Sequence, residues 1–242
     1  LERAEDIAPE AMNAGIKWTW ETFPEYLDAV ERLPKGINYS AYMGHSALRT
    51  YVMGERAFTD TATEDDIDRM QNLVREAIQA GAMGFTTSRT RNHQTPQRQP
   101  VASRLATWDE VRQLVGSMGE MGAGIFEIAG EDTGRDPKRV REYMDRLKAL
   151  AVDTGVPVTY GMFSMRRAPD CWQPYLDLAD ETAAAGGRMF LQVHSRALNA
   201  VLSFQTNTPF DRSPTWRKLK KMASLEEKGG ALRNADFRRK LV

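Results

Sequence analysis

The chain has 242 residues, and its 33 Lys and Arg residues are balanced by 33 Asp and Glu residues. This length can bury the core of an ordinary α/β domain. A net charge of zero provides no whole-protein field that would attract nucleic acid or an anionic membrane. The single cysteine, Cys171, excludes an intrachain disulfide framework and is typical of a reducing compartment. No apolar run reaches the ~18–20 residues of a membrane span, so we expect a cytoplasmic chain with neither a nucleic-acid nor a membrane partner.

A unit of one short β-branched strand followed by one amphipathic helix recurs along the chain. Thr63 and Thr107 each begin a capping pattern with an acidic residue three positions later, and Asp136 starts a third helix. Glycines such as Gly81 stand where such helices end. The periodicity predicts five strands, at residues 37–44, 83–87, 124–129, 156–163 and 189–194.

Alternating strands and helices predict a parallel sheet, because a crossover helix returns each strand in the same direction. Two architectures fit: an open doubly wound sheet, or part of a (β/α)8 barrel that lacks three strands. No nucleotide-binding glycine motif occurs at a strand–helix junction, so the open sheet lacks its usual support. With no linker in view, we expect one domain over residues 1–242.

Two further segments have distinct patterns. Residues 88–106 are polar, rich in Arg and Gln, and aperiodic, which predicts a long loop at the rim of the sheet. The tail predicts irregular structure, then charged helices at residues 214–221, 224–232 and 234–241.

Parallel strands bring their carboxyl ends to one rim, where α/β enzymes place their chemistry. His45 follows the first strand, and it either binds substrate or hydrogen-bonds the loop backbone. Arg49 suits a substrate carboxylate as well as an interhelix ion pair. Ser88 and Arg89 end the second strand, and Arg89 is a second candidate for binding a substrate carboxylate. His93, in the loop, is either solvated or in contact with substrate. Ser88 is expected to contact substrate rather than to act as a nucleophile, because the G-x-S-x-G motif is absent.

Three more candidates lie on later strands. Glu127 belongs to a strand expected to be buried on both faces, where a carboxylate needs either a ligand or an ion-pair partner. Gln192 and His194 alternate along the last strand and therefore share one face. His194 either lines a site or packs, and a metal shared by His45 and His194 stays open.

Distinctive stretches of the chain include residues 18–28 (WTWETFPEYLD), 44–49 (GHSALR), 51–54 (YVMG) and 81–89 (GAMGFTTSR). These stretches resemble the N-acyl-D-amino-acid deacylases, which are D-aminoacylase-like members of the amidohydrolase superfamily. The resemblance is strong over residues 1–106 and looser towards the tail.

The resemblance implies a fold, an activity and a cofactor. The family's fold is a (β/α)8 barrel flanked by a small β-domain, so this chain is expected to be a partial TIM-type barrel of about five parallel strands with flanking helices. The implied activity is hydrolysis of the linear amide C–N bond of a small-molecule N-acyl amino acid. Zinc is expected to activate the attacking water, and an oligomer stays open.

The chain departs from the family pattern at the metal ligands. The family's histidines should end the strands at residues 124–130 and 156–163, which contain none, and Cys171 is not the counterpart of the family's ligand cysteine. The other ligands and the catalytic aspartate would lie outside the chain. We therefore expect an internal fragment of a divergent member, inactive by itself and with no assignable metal ligand. The alternatives are a degenerate barrel used for binding or assembly, and a metal-independent enzyme in which Glu127 and His194 exchange protons with the substrate.

Overall fold

The computed structural model describes residues 9–95, 99–134, 136–163, 169–195 and 208–241. The contacts group the chain into two compact units, residues 2–194 and residues 195–242. The single domain over residues 1–242 stays a prediction. Within the described ranges, no helix has the length and apolar character needed to cross a membrane.

The larger unit alternates strands and helices in the predicted order. Its described strands are β1 (Tyr42–Gly44), β2 (Gly84–Ser88), β3 (Ile125–Ala129), β4 (Val158–Gly161) and β5 (Met189–Gln192). Its described α-helices are α1 (Pro9–Gly15), α2 (Phe23–Glu31), α3 (His45–Met53), α4 (Glu64–Gln79), α5 (Trp108–Met121), α6 (Pro137–Thr154) and α7 (Gln173–Ala184). Short 3₁₀ helices span Gly54–Phe58 and Ala102–Arg104.

The five strands form one parallel sheet in which each strand pairs with the next along the chain, in the order β1-β2-β3-β4-β5. A doubly wound sheet reverses its strand order at a switch point, so the sequential order excludes that architecture and agrees with a barrel segment. The helices follow the same succession, because α4 packs on α5, α5 on α6 and α6 on α7. The predicted α/β fold of five parallel strands with flanking helices is confirmed.

The two faces of the sheet differ, because alternate residues of a strand point to opposite sides. On the helix side, Phe85, Phe126 and Val158 lie in register and are fully buried. The opposite side is less covered and includes polar side chains. We call it the Glu127 face and define it by Tyr42, Thr86, Glu127, Thr159, Phe190 and Gln192.

The first strand is shorter than predicted. The sequence predicted a strand over residues 37–44, but only Tyr42–Gly44 forms one, and Ile37 is 81% exposed. Among the described strands, β1 pairs with β2 alone, and the first paired residue of β2 is Gly84 opposite Tyr42. The residues before β1 therefore have no described strand to pair with. At the other end of the sheet β5 stops at Gln192, and His194 lies beyond the strand.

The predicted helix start at Thr63 is confirmed. The backbone N–H of Asp66 donates to Thr63 Oγ1 at 3.2 Å, and the backbone N–H of Thr63 donates to the Asp66 carboxylate at 3.0 Å. This capping box satisfies two backbone donors at the first turn of α4. Arg56 from the preceding 3₁₀ helix pairs with the same carboxylate at 2.8 Å.

The smaller unit contains the predicted charged helices of the tail. The Phe210 and Trp216 rings stack with centroids 4.8 Å apart, and Trp216 Nε1 donates to the carbonyl of Leu241 at 3.1 Å. Its described helices are α8 (Pro214–Lys220), α9 (Leu225–Arg233) and α10 (Ala235–Arg239).

Gly84 is the position where the backbones of β2 and β3 leave no room for a side chain. A Cβ atom added there would lie 1.8 Å from the carbonyl oxygen of Ile125, whereas a Cβ added at Gly116 in α5 meets nothing within 4 Å. We expect Gly84→Ala to lower the free energy of unfolding by about 1–3 kcal/mol or more. Gly116→Ala, the control, should be neutral or raise it by up to about 1 kcal/mol through helix propensity. Urea unfolding of both variants measures the difference, and equal midpoints would contradict this account.

Candidate functional site

The structure places the predicted site residues in three separate groups. The first is the Glu110 cluster, which we define as His45, Arg49, Thr87 and Glu110. All four side chains are at most 3% exposed. α3 supplies the histidine and the arginine, β2 the threonine and α5 the glutamate.

Hydrogen bonds join the whole cluster. Glu110 Oε1 lies 2.8 Å from His45 Nε2, and Thr87 Oγ1 lies 2.8 Å from His45 Nδ1. Arg49 donates to Glu110 Oε2 and, at 2.8 Å, to the carbonyl of Asp60. Because an ionised carboxylate can only accept, Nε2 carries the imidazole proton and Nδ1 accepts from the threonine hydroxyl.

The electrostatics of the cluster follow from burial and from Arg49. Burial lowers the pKa of His45, so the imidazole is neutral at pH 7. Burial alone would raise the pKa of Glu110, but hydrogen bonds from His45 and Arg49 and the positive charge of Arg49 outweigh it, and the pKa is lowered. The cluster is therefore a neutral imidazole beside a compensated carboxylate–guanidinium pair.

The order hydroxyl, imidazole, carboxylate is that of a catalytic triad, but here the hydroxyl faces the core. Thr87 is 3% exposed and His45 1%, so in this arrangement neither meets a substrate. The observed partner of Arg49 is Glu110, which is the interhelix ion pair weighed as its alternative. Substrate contact by His45 and Arg49 stays a prediction and would require the cluster to open.

The second group surrounds the start of the long loop. Ser88 Oγ lies 2.6 Å from His93 Nδ1, and Arg104 donates to the carbonyl of His93 at 3.2 Å. Ser46 Oγ on α3 donates to Ser103 Oγ, which donates to the carbonyl of Ser88, both at 2.9 Å. The structure thus brings Ser88 and His93 together, which the sequence did not predict. It also shows the described part of the loop as anchored to α3 and β2.

Arg89 anchors the far end of the same loop. It donates to Glu131 at 3.2 Å and to the carbonyl of Ala106, and its guanidinium lies 5.4 Å from the centroid of the Trp108 ring. Trp108 Nε1 donates to the same glutamate at 2.7 Å, and Arg146 pairs with that glutamate at 3.5 Å. Because Glu131 already occupies the guanidinium, substrate-carboxylate binding by Arg89 stays a prediction.

The third group lies on the Glu127 face. Gln192 Nε2 donates to Thr159 Oγ1 at 3.1 Å and reaches Glu127 Oε1 at 3.5 Å. Burial raises the pKa of the Tyr42 phenol, and the negative charge of Glu127 raises it further. Four strands therefore place polar groups around one half-buried carboxylate.

His194 stands apart from this group. It is exposed, and its ring lies 5.8 Å from that of Phe163. Among the described contacts none joins it to Glu127, so the structure does not assemble the acid–base pair of the metal-independent alternative. A metal shared with His45 is likewise not assembled, because both ring nitrogens of His45 are taken by Thr87 and Glu110.

Glu110, Thr87 and Thr159 are the site residues that sequence reasoning missed. Glu110 was interpreted only as the acidic residue of a capping pattern that starts at Thr107. The structure shows half of that pattern: the backbone N–H of Glu110 donates to Thr107 Oγ1 at 3.0 Å, while the Glu110 side chain turns inward to His45 and Arg49. Helix α3 was not predicted. A helix there would have placed His45 and Arg49 on one face, because residues four apart on a helix share a face, and would have indicated a common partner for both.

The described residues do not fit a zinc centre. Among them, no group of three or more His, Cys, Asp or Glu side chains could hold a metal ion. His45 and Glu110 are hydrogen-bonded to each other, and β3 and β4 end in Ala129 and Gly161, which offer no ligating side chain.

Comparison with known proteins identifies the family. The model of the amidohydrolase family matches residues 9–241. The chain therefore belongs to the amidohydrolase family, in agreement with the parallel sheet and its sequential strand order.

Individual proteins are similar to parts of this chain. A D-aminoacylase of Alcaligenes xylosoxydans xylosoxydans is 31% identical over 135 residues, which are 55% of this chain and 25% of that protein. An uncharacterised Mycobacterium tuberculosis protein is 38% identical over 110 residues, which are 40% of this chain and 17% of that protein. The solved N-acyl-D-glutamate deacylase of Bordetella bronchiseptica, complexed with zinc and a phosphonate inhibitor, matches with a TM-score of 0.61 at 19% identity. That match covers 77% of this chain and 36% of the deacylase, so the fold is shared while the chain spans only part of each relative.

Removing the charge of Glu110 should be far more costly than removing that of an exposed glutamate on the same helix. Glu110→Gln leaves Arg49 buried without a counter-ion, and we expect a loss of about 3–5 kcal/mol in the free energy of unfolding. Glu120 is the matched control, since it pairs with Arg75 at 2.8 Å but is 69% exposed, and Glu120→Gln should cost about 0–1 kcal/mol. Urea unfolding gives both values. Similar losses for the two variants would show that the Glu110 pair adds nothing beyond a surface contact.

The neutral His45 predicts a pH dependence of stability. The pKa of His45 is lowered in the folded chain from the unfolded value of 6.5. Below about pH 6.5 the imidazole is therefore protonated in the unfolded chain more than in the folded chain. The free energy of unfolding should therefore fall as the pH drops from about 7.5 to about 5.5, with a slope of at most ~1.4 kcal/mol per pH unit from this one group. His45→Gln should flatten this slope, whereas His194→Gln, which changes an exposed ring, should retain it. Equal slopes for the two variants would contradict the assignment.

Proposed function

We propose that the protein to which this chain belongs hydrolyses the linear amide bond of N-acyl-D-amino acids. The observation that carries the proposal is the match to the amidohydrolase family over residues 9–241. Two of the similar proteins, a D-aminoacylase and an N-acyl-D-glutamate deacylase, support this substrate class. The barrel-type sheet supports it as well, because its strands end at one rim, where such barrels bind their substrates.

Within that protein, we assign this chain a share of the substrate-binding rim. Gln192 and Thr159 place neutral hydrogen-bonding groups beside Glu127. Ser88 and His93 meet at the end of β2, where the loop leaves the sheet. Thr159 is buried, but Gln192 is exposed and Ser88 and His93 are half-buried. These three are better placed to contact a ligand than His45 and Arg49, which are enclosed in the core.

Zinc remains an expectation for the whole protein, and the neighbouring deacylase structure contains it. Its ligands would have to be other than the described residues, which form no such group. This supports the further proposal that the 242-residue chain alone is inactive.

A degenerate barrel that binds or assembles without catalysis is the second candidate. The observation that favours it is the absence of a metal-ligating group among the described residues, including the ends of β3 and β4. The two candidates differ in what the complete protein does with an N-acyl amino acid.

Acetate release from N-acetyl-D-amino acids tests both proposals. We expect no release above the buffer blank from the purified 242-residue chain, with or without added zinc. The complete protein should release acetate, prefer D over L substrates and lose activity to a chelator, because the expected nucleophile is a metal-activated water.

Turnover by the 242-residue chain alone would refute the proposed inactivity. A complete protein that binds metal yet hydrolyses no N-acyl-D-amino acid would refute the proposed substrate class. A complete protein with neither metal nor activity, but with stable oligomers, would favour the non-catalytic barrel. Elemental analysis of the same samples separates the last two cases.

A further inference from the structure

Among the described residues of the larger unit, Glu127 is the buried or half-buried carboxylate that has no cationic partner. The described residues of the larger unit include five carboxylates that are buried or half-buried. Four of them pair with arginine: Asp66 with Arg56, Glu110 with Arg49, Glu131 with Arg89 and Glu181 with Arg141. Glu127 is the exception, since no Lys, Arg or His among the described residues pairs with it.

The position of Glu127 makes this exception costly. It lies on β3, the middle strand, in register with Thr86 on one side and Thr159 on the other. Its described hydrogen bond comes from the neutral amide of Gln192, at 3.5 Å, and the same amide nitrogen donates to Thr159. A half-buried carboxylate loses hydration that a single long hydrogen bond does not replace. A positively charged ligand would restore the missing compensation.

Aromatic rings occupy the same face. Phe190 pairs in register with Thr159 and is 56% exposed. Tyr42 lies near enough to Glu127 for the carboxylate to raise its pKa. Aromatic faces attract organic cations, so rings and carboxylate favour the same kind of ligand. Neither the rings nor the carboxylate favour an acidic ligand.

We propose that the Glu127 face binds the cationic end of a substrate, an ammonium or guanidinium group on the side chain of an N-acyl amino acid. The identity of the rest of the ligand rests on the proposed function. An acidic side chain would meet the Glu127 carboxylate with no cation to offset the repulsion. The specificity should therefore be opposite to that named for the structurally similar N-acyl-D-glutamate deacylase.

Binding, measured by calorimetry without turnover, tests the site on the 242-residue chain. The probes are Nα-acetyl-D-lysine, its neutral counterpart Nα-acetyl-D-norleucine, Nα-acetyl-D-glutamate and n-butylammonium. We expect the lysine derivative to bind about tenfold or more tightly than the norleucine derivative, because a charge-assisted contact is added. Binding of the glutamate derivative should be the weakest.

Variants assign the effect to the face. Glu127→Gln should remove the preference for lysine over norleucine, and Glu120→Gln, which changes an exposed carboxylate of α5, should retain it. Phe190→Leu should reduce the preference while leaving the carboxylate in place. Since Phe190 is exposed, this variant also keeps the proposal testable if Glu127→Gln fails to fold.

The outcomes separate the two proposals. Glu127-dependent binding of n-butylammonium without binding of any acyl amino acid would support the cation site and contradict the proposed substrate. Equal binding of all three acyl amino acids by the chain and by Glu127→Gln would overturn the cation site and leave the deacylase proposal standing. No Glu127-dependent binding of any cationic probe, or stoichiometric zinc that is lost in Glu127→Gln, would also overturn the cation site.

Discussion

The buried carboxylate of Glu110 is the contact on which the rim of the sheet depends. It holds His45 and Arg49, both on α3, and through His45 it reaches Thr87 on β2. Helix α3 also carries Ser46, whose hydroxyl holds Ser103, which in turn holds the carbonyl of Ser88. Without the carboxylate, α3 would bury an uncompensated guanidinium, and the helix would not stay in this position. The placement of the loop after β2 therefore derives from one ion pair in the core.

The parity of residues along β2 separates two kinds of polar chemistry. Thr87 faces the helices and is enclosed in a compensated cluster, whereas its neighbours Thr86 and Ser88 belong to the opposite side of the strand. On the helix side, the Glu110 carboxylate is paired with Arg49 and the cluster is at most 3% exposed, so these polar groups stabilise the fold. On the Glu127 face, charge is unmatched and surfaces are accessible, so the polar groups are available to a ligand. The same residue types thus have structural or binding roles according to the face they occupy.

Much of the fold was predictable because strand and helix periods are local properties of the sequence. β2, β3 and the start of α4 fall within a residue of their predicted positions. β1 was predicted too long, because β-branched and aromatic residues at 37–43 are typical of a strand whether or not a partner is available. The sites were harder to predict, because their residues come together from positions far apart in the sequence. Glu110 lies 65 residues from His45, and its position in a capping pattern concealed its buried role. Ser88 and His93 come together in a loop whose residues show no hydrophobic periodicity from which a contact could be predicted.

The sequential strand order also bears on the order in which the parts of the chain can fold. Each strand pairs with the strand made just before it, so the sheet can grow in the order of synthesis. The Glu110 cluster breaks this pattern. During translation α3 and β2 emerge with His45, Arg49 and Thr87, but their acceptor arrives only with α5. Until then a guanidinium destined for the core has no counter-ion and stays hydrated. The amino-terminal elements can therefore pair early, yet they reach their final packing only after Glu110 has left the ribosome.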